Sequence, residues 1–212
     1  MTTTVIFDLD GVLVDSRAVF LSCVRYAFAK LELPERTDEE LLPYIGPPFA
    51  YAFGELLQVP HDAPIVAACI DGYRERYKDA SLTETTVMPG IPEALAAHDD
   101  HRLAVATSKP HAFADPLLSA MGLREHFELV VGPDLSARTE DKTATIGRAL
   151  DALGETRAVM VGDRSFDVVG AHANGIPAIG VTWGIGDAGE LSGAERTIDD
   201  PSALRETVAT LL

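Results

Sequence analysis

Three short apolar runs, residues 4–7, 103–106 and 158–161, have the length and side-chain content of buried strands, and each stops at a polar group. Thr4-Val5-Ile6-Phe7 leads into Asp8-Leu9-Asp10-Gly11, the second run into Thr107-Ser108, and the third through Gly162 into Asp163 and Asp167. From Pro89-Gly90 onward strands alternate with helices: helical patterns fall at 92–97, 112–121, 142–153, 166–174 and 202–211, strand patterns at 103–106, 128–131, 158–161 and 178–181. This alternation predicts an α/β, Rossmann-like parallel sheet with right-handed crossovers and helices on both faces.

Between the first strand and Pro89 the period changes. Residues 18–31, 39–42, 49–57 and 63–78 carry helical periodicity, Thr37 with Glu40 fits a capping box, and Pro34, Pro47, Pro48 and Pro60 separate the segments. The expectation is an all-helical cap, residues 17–86, inserted after the first strand of a core made of 1–16 and 87–212. Its hinges fall at Ser16-Arg17 and around 83–89, which makes the insert a candidate lid.

The net charge of −16 repels long polyanions, so neither a nucleic acid polymer nor an anionic membrane is an expected partner, while a small anion can still enter a local positive pocket. Cys23 and Cys69 both lie in apolar helical stretches and read as buried hydrophobes. The start of the chain lacks a basic leader, and no apolar run reaches the roughly 18 residues of a membrane span, so a cytoplasmic protein is expected. No heptad seam announces a partner subunit, and monomer and homodimer both remain open.

In an open parallel sheet ligands bind at the carboxyl ends of the strands. Two Asp clusters meeting there supply the hard oxygen donors that magnesium prefers, and the metal would neutralise a phosphate beside them.

Asp8-Leu9-Asp10-Gly11-Val12-Leu13-Val14-Asp15-Ser16 resembles the first motif of the haloacid dehalogenase-like superfamily. Val105-Ala106-Thr107-Ser108-Lys109 is similar to its second motif, Lys142 to the third, and Val161-Gly162-Asp163-Arg164-Ser165-Phe166-Asp167 to the fourth, in the expected order along almost the whole chain. The resemblance implies that Asp8 attacks phosphorus to give an aspartyl-phosphate, with Asp10 as general acid and then base. It implies that Thr107 and Lys142 hold the phosphoryl oxygens, with Gly11 and Ser108 in the phosphate-binding set. Mg2+ would be bound by Asp8, the Asp10 backbone carbonyl and Asp163, with Asp167 beside the metal or orienting Lys142. Dehalogenases need no acid two residues after the nucleophile, so Asp10 favours phosphoryl chemistry. The third motif departs from the common Lys-Pro, reading Arg138-Thr139-Glu140-Asp141-Lys142-Thr143, and Arg138 could compete for the role of Lys142.

The helical insert, with Tyr44-Ile45-Gly46-Pro47-Pro48, is similar to the cap of the phosphoglycolate phosphatase and nucleotidase-like branch. Arg17, Tyr44, Arg74 and Arg76 are its candidate contacts to a small phosphomonoester. The implied activity is a phosphatase; a phosphomutase of the beta-phosphoglucomutase type shares the motifs, and a noncatalytic binding protein would normally have lost one of these groups.

Four features carry other readings. Gly184-Ile185-Gly186-Asp187-Ala188-Gly189 has the GxGxxG form but no further βαβ unit behind it, which argues against a dinucleotide site. His98-Asp99-Asp100-His101 reads as a solvated turn rather than a metal site. Trp183 could stack on substrate or pack its own loop. The acids at 37–40 and 190–195 read as caps or solvated faces.

Overall fold

The computed structural model describes residues 3–135, 141–154 and 157–212. In chain order the regular elements are β1 (Thr4–Phe7), β2 (Val14–Asp15), α1 (Arg17–Lys30), α2 (Asp38–Leu41), α3 (Phe49–Leu57), α4 (Pro64–Ala80), β3 (Thr86–Val87), α5 (Ile91–Ala96), β4 (Arg102–Ala106), α6 (His111–Ala120), β5 (Leu129–Val131), α7 (Lys142–Leu153), β6 (Ala158–Gly162), α8 (Ser165–Ala173), β7 (Ala178–Val181), β8 (Arg196–Ile198) and α9 (Leu204–Leu211). Six strands form one parallel sheet in the order β5-β4-β1-β6-β7-β8. β1 is central because all four of its residues are apolar or small enough to be buried on both faces.

Period-two alternation assigns the two faces. Val5 and Phe7 share one buried cluster with Val105, Val159 and Ile179, covered by Leu95 of α5, Leu117 of α6 and Leu204 of α9. Ile6 faces the other way with Ala104 and Met160, against Ile146 of α7 and Val168 of α8. A third cluster, with Phe20, Phe53, Cys69 and Tyr73 among its members, lies wholly within the helices α1 to α4 and the loops joining them. Each fully buried Val, Leu or Phe contributes about 1.5–3 kcal/mol, so each cluster is a substantial source of stability.

The Thr37–Glu40 capping box forms as expected, with Thr37 Oγ1 accepting from the Glu40 N–H and Glu40 accepting from the Thr37 N–H. β2 and β3 escaped sequence reading because they are two residues each. They pair antiparallel, so both connections to the helical insert run through one short ribbon. β8 escaped because Arg196 and Thr197 are exposed and leave no apolar signal at the sheet edge. Among the described residues no helix is long and apolar enough to cross a membrane.

Register fixes the site. Phe7 is level with both Val105 and Val161, so the next residues of three neighbouring strands emerge together. Asp8 N–H donates to Val161 O at 2.9 Å and Thr107 N–H to Val131 O at 2.9 Å, extending the ladder one step into the loops that bear the polar groups.

Candidate active site

Asp8, Asp163 and Asp167 are buried, and carboxylate oxygens of the three lie within 4.8 Å of one another. Lys142, the first residue of α7, reaches into this group. Its Nζ is 2.7 Å from Asp8 Oδ1, 2.9 Å from Asp167 Oδ1, and donates to Ala106 O at 3.0 Å. Asp141 caps the same helix by accepting from Ala144 N–H at 2.8 Å, which fixes where Lys142 starts. Asp167 stands in the first turn of α8, and its Oδ2 accepts from Arg164 N–H at 3.1 Å.

Asp163 is seated by a different loop. Its Oδ2 accepts from Ile185 N–H at 2.7 Å and Gly186 N–H at 3.3 Å, while its Oδ1 is buried without a partner. A Cβ on Gly184 would overlap the Asp163 carboxylate, and one on Gly186 its carbonyl. The first two glycines of the GxGxxG form therefore owe their place to close approach to Asp163, while a Cβ on the third, Gly189, would meet nothing. Gly11, at φ +87°, is glycine for the same reason, since a Cβ there would overlap Asp163 Oδ2. Its N–H donates to Val14 O at 2.9 Å.

Charge decides how these groups titrate. Burial raises Asp163 to about 7, with Asp167 and Asp8 adding to the rise and the two loop N–H groups opposing it. Burial likewise raises Asp8 to about 6, against the pull of Lys142. Burial disfavours the Lys142 ammonium, but Asp167 and Asp8 outweigh it and hold that group above its ordinary value. One ammonium facing three carboxylates leaves two negative charges uncompensated when all are ionised. Together with the orphaned Asp163 oxygen, this donor set fits a divalent cation with oxygen ligands.

Asp10 stands outside the cluster of three carboxylates but lines the same cavity as Asp8. Its Oδ2 is 3.0 Å from Lys109 Nζ, and its Oδ1 is buried and unpartnered. Lys109 also donates to Tyr77 Oη at 2.8 Å and sits 4.7 Å from that ring's centroid, so a residue of α4 touches the partner of Asp10. Burial disfavours the Lys109 ammonium, yet Asp10 and Tyr77 hold it above its usual value. Thr107 is buried and its Oγ1 accepts from Lys109 N–H at 3.1 Å. Asp8, Asp10, Thr107 and Ser108 line a cavity of about 310 Å³ that extends under the helical insert.

Lys109 and Arg164 were not singled out from sequence, although both lie in the motifs quoted above. Arg164 Nη1 donates to Ile45 O, Nη2 to Pro43 O at 3.2 Å, and Nε to Glu190 Oε2 at 3.0 Å, tying the loop after β6 to the helical insert. The signal available was a cation inside a carboxylate motif, which has to find partners when buried. Two acids read as solvated are engaged: Glu190 also accepts from Ser165, and Glu195 from Ala178 N–H at 2.7 Å. Of the four candidate cap contacts only Arg74 lines the cavity; Arg17 pairs with Asp15, Arg76 with Glu84, and Tyr44 packs within the insert. Trp183 packs against the sheet and donates to Val12 O at 3.2 Å. His98 is buried, a correction to the solvated turn. Arg138, named as a competitor of Lys142, lies outside the described residues.

Residues 5–181 match the family model described as haloacid dehalogenase-like hydrolase. A 5'-nucleotidase of Pseudomonas aeruginosa is 35% identical over 210 residues, covering 96% of this chain and 94% of that protein. A plasmid phosphoglycolate phosphatase of Cupriavidus necator is 31% identical over 210 residues, covering 95% and 91%. The crystal structure of a predicted phosphatase from Clostridium acetobutylicum superposes with a TM-score of 0.93 at 32% identity, covering 100% of both chains. The likeness runs the length of the chain and is not confined to the strand ends that bear the carboxylates: the chain belongs to the haloacid dehalogenase-like hydrolase family.

Proposed function

We propose that this hydrolase is a magnesium-dependent phosphatase that releases phosphate from a small organic phosphomonoester through an aspartyl-phosphate on Asp8. The observation that carries the reading is the single Lys142 ammonium held between Asp8 and Asp167 while Asp163 keeps a free buried oxygen beside them. Relatives named as a 5'-nucleotidase and a phosphoglycolate phosphatase support it.

Asp8 and Asp163, with the Asp10 carbonyl, would hold Mg2+, and Asp167 keeps Lys142 in place beside them. Bound there, the ion supplies positive charge that lowers repulsion between the phosphate and Asp8. An Asp8 oxygen forms a bond to phosphorus as the bond to the organic oxygen breaks, and Asp10 gives that oxygen a proton. Asp10 then takes a proton from the water that attacks the aspartyl-phosphate, which frees phosphate and restores Asp8. Lys142 and Thr107 hold the phosphoryl oxygens through both steps, with Gly11 and Ser108 alongside. Residues 17–86 act as a cap that opens at the β2–β3 ribbon and closes through the contacts of Lys109 with Tyr77 and of Arg164 with the 43–45 carbonyls, excluding bulk water. With a net charge of −16, a small cytoplasmic metabolite suits the site better than a polymer or a membrane.

The test is phosphate release from a panel of small phosphomonoesters. Steady release that needs Mg2+ and stops with a chelator is expected. Interconversion of sugar phosphate isomers with little free phosphate would overturn the reading in favour of a phosphomutase.

A further inference from the structure

The volume over Asp8 exceeds what a phosphoryl group requires. The cavity measures about 310 Å³, whereas one of about 150 Å³ holds benzene. A phosphoryl group placed at Asp8 therefore leaves room for an organic group as large as a ring.

The walls of that room are mostly apolar. Phe20, Phe49, Tyr73, Tyr77 and Phe113 all line it. Phe49 and Tyr73 have ring centroids 4.4 Å apart, Tyr73 and Tyr77 stack at 5.6 Å with planes 16° apart, and Phe113 meets Tyr77 edge-on at 5.3 Å. The rings form a continuous ladder from α3 through α4 to α6, spanning the insert and the sheet domain. Phe20, Tyr73 and Tyr77 are buried and brace the partly exposed Phe49 and Phe113, whose free edges and faces suit another flat ring through offset stacking and edge contacts.

Beyond Asp8, Asp10, Thr107 and Ser108, the polar side chains of the lining are Ser16, Asp71, Arg74, Lys109 and the hydroxyls of Tyr73 and Tyr77. Lys109 is already paired with Asp10. Arg74 has a buried Nε with no partner, and Ser16 a buried Oγ with none. Such atoms call for an acceptor on the ligand, since burial has removed their water. Against walls that are mostly aromatic, a sugar would leave the ring faces poorly covered by its hydroxyl-bearing surface, and a two-carbon acid would leave most of the apolar surface uncovered.

We infer that the organic group of the substrate is a flat aryl or heteroaryl ring carrying an acceptor oxygen that meets Arg74, and not a short carboxylate or a sugar. This rests on the phosphatase reading for the reaction, and on the cavity walls for the substrate class.

The test compares substrates whose leaving groups are all primary alcohols or nearly so. With Mg2+, kcat/KM for benzyl phosphate and 4-carboxybenzyl phosphate is expected to exceed that for phosphoglycolate and glucose 6-phosphate by about tenfold or more. Phe49→Leu should shrink the ratio of benzyl phosphate to glucose 6-phosphate, and Arg74→Met should remove the preference for the carboxylated ring. Independently of turnover, calorimetry on the unaltered protein with Mg2+ should show benzylphosphonate binding about tenfold tighter than phosphonoacetate. Phosphoglycolate or glucose 6-phosphate as the better substrate, or phosphonoacetate as the tighter ligand, would overturn the ring assignment and leave the phosphatase reading standing. No phosphate release from any of the four, with benzylphosphonate still the tighter ligand, would overturn the phosphatase reading and keep the ring site.

Discussion

At the carboxyl ends of β1 and β6, Asp8, Asp163 and Asp167 crowd one ammonium, and an Asp163 oxygen is left without a partner. At the amino end of β4 the charges are matched instead. Arg102 forms a two-pronged pair with Glu128 at 2.8 and 2.6 Å, and Arg205 does the same with Asp100 at 2.9 and 3.1 Å. The same sheet thus carries charge that opposes folding at one end and charge that supports it at the other. Under the proposed function the difference has a reason: an undercompensated buried carboxylate group is completed by a metal ion and phosphate, whereas the matched pairs at the other end support the fold alone.

The largest test of this contrast is Asp8→Asn. Turnover of any phosphomonoester should fall about a thousandfold or more, because the amide cannot attack phosphorus. The metal-free variant should unfold at the same temperature as the unaltered protein or higher, since Lys142 keeps Asp167 and one buried charge is gone. Paired kinetics and thermal unfolding check both halves. A melting temperature several degrees lower would mean that Asp8 supports the fold, and the contrast between the two ends would fail.

Much of the carboxyl end was legible because local pattern and chemistry coincide there: an apolar strand that stops at an acid reads the same in sequence and in space. Asp8, Thr107, Lys142 and Asp163 come together as the strand order requires. What could not be read depends on packing across long separations. Lys109 meets Tyr77 from another helix, Arg164 meets carbonyls 43 and 45, and Gly184 and Gly186 owe their identity to Asp163 rather than to any nearby residue. His98 shows the converse error. Flanked by Asp99, Asp100 and His101 it looks solvated, yet only Asp99 and Asp100 face water, while His101 is half-buried and the His98 ring is buried.

His98 supplies the second test. Its ring is buried, its Nδ1 is 3.3 Å from His101 Nδ1, and burial, helped by His101 and Arg205 and opposed by Asp100, lowers it to about 4. An unfolded histidine titrates near 6.5. Between those values the unfolded chain binds the proton and the folded one does not, so stability is complete above about 6.5 and is lost as pH falls toward 4. Asp8 and Asp163, raised to about 6 and about 7, act in the opposite sense over the same range, so the His98 contribution is read as a difference: the urea midpoint of the unaltered protein minus that of His98→Gln should fall with acidification. A difference that stays flat would show that His98 does not govern the acid sensitivity of this end.

The smallest effect is expected at Arg102. Its guanidinium joins Glu128 and also donates to Leu153 O at 2.9 Å, so it links the start of β4 to the residue just before β5 and to the end of α7. The pair is half exposed, and exposed ion pairs are worth about 1 kcal/mol or less, with a neutral carbonyl bond adding about as much. Arg102→Met keeps the aliphatic stem that covers the sheet end while removing the charge. It should therefore cost about 1–2 kcal/mol in urea unfolding, and less when salt already screens the pair. Because Arg102 sits at the far end of the strand from Thr107, kcat and KM should stay within error of the unaltered protein. A large loss of kcat without a loss of stability would mean that β4 transmits its amino-end contacts to the active site, and the two ends could no longer be treated as separate.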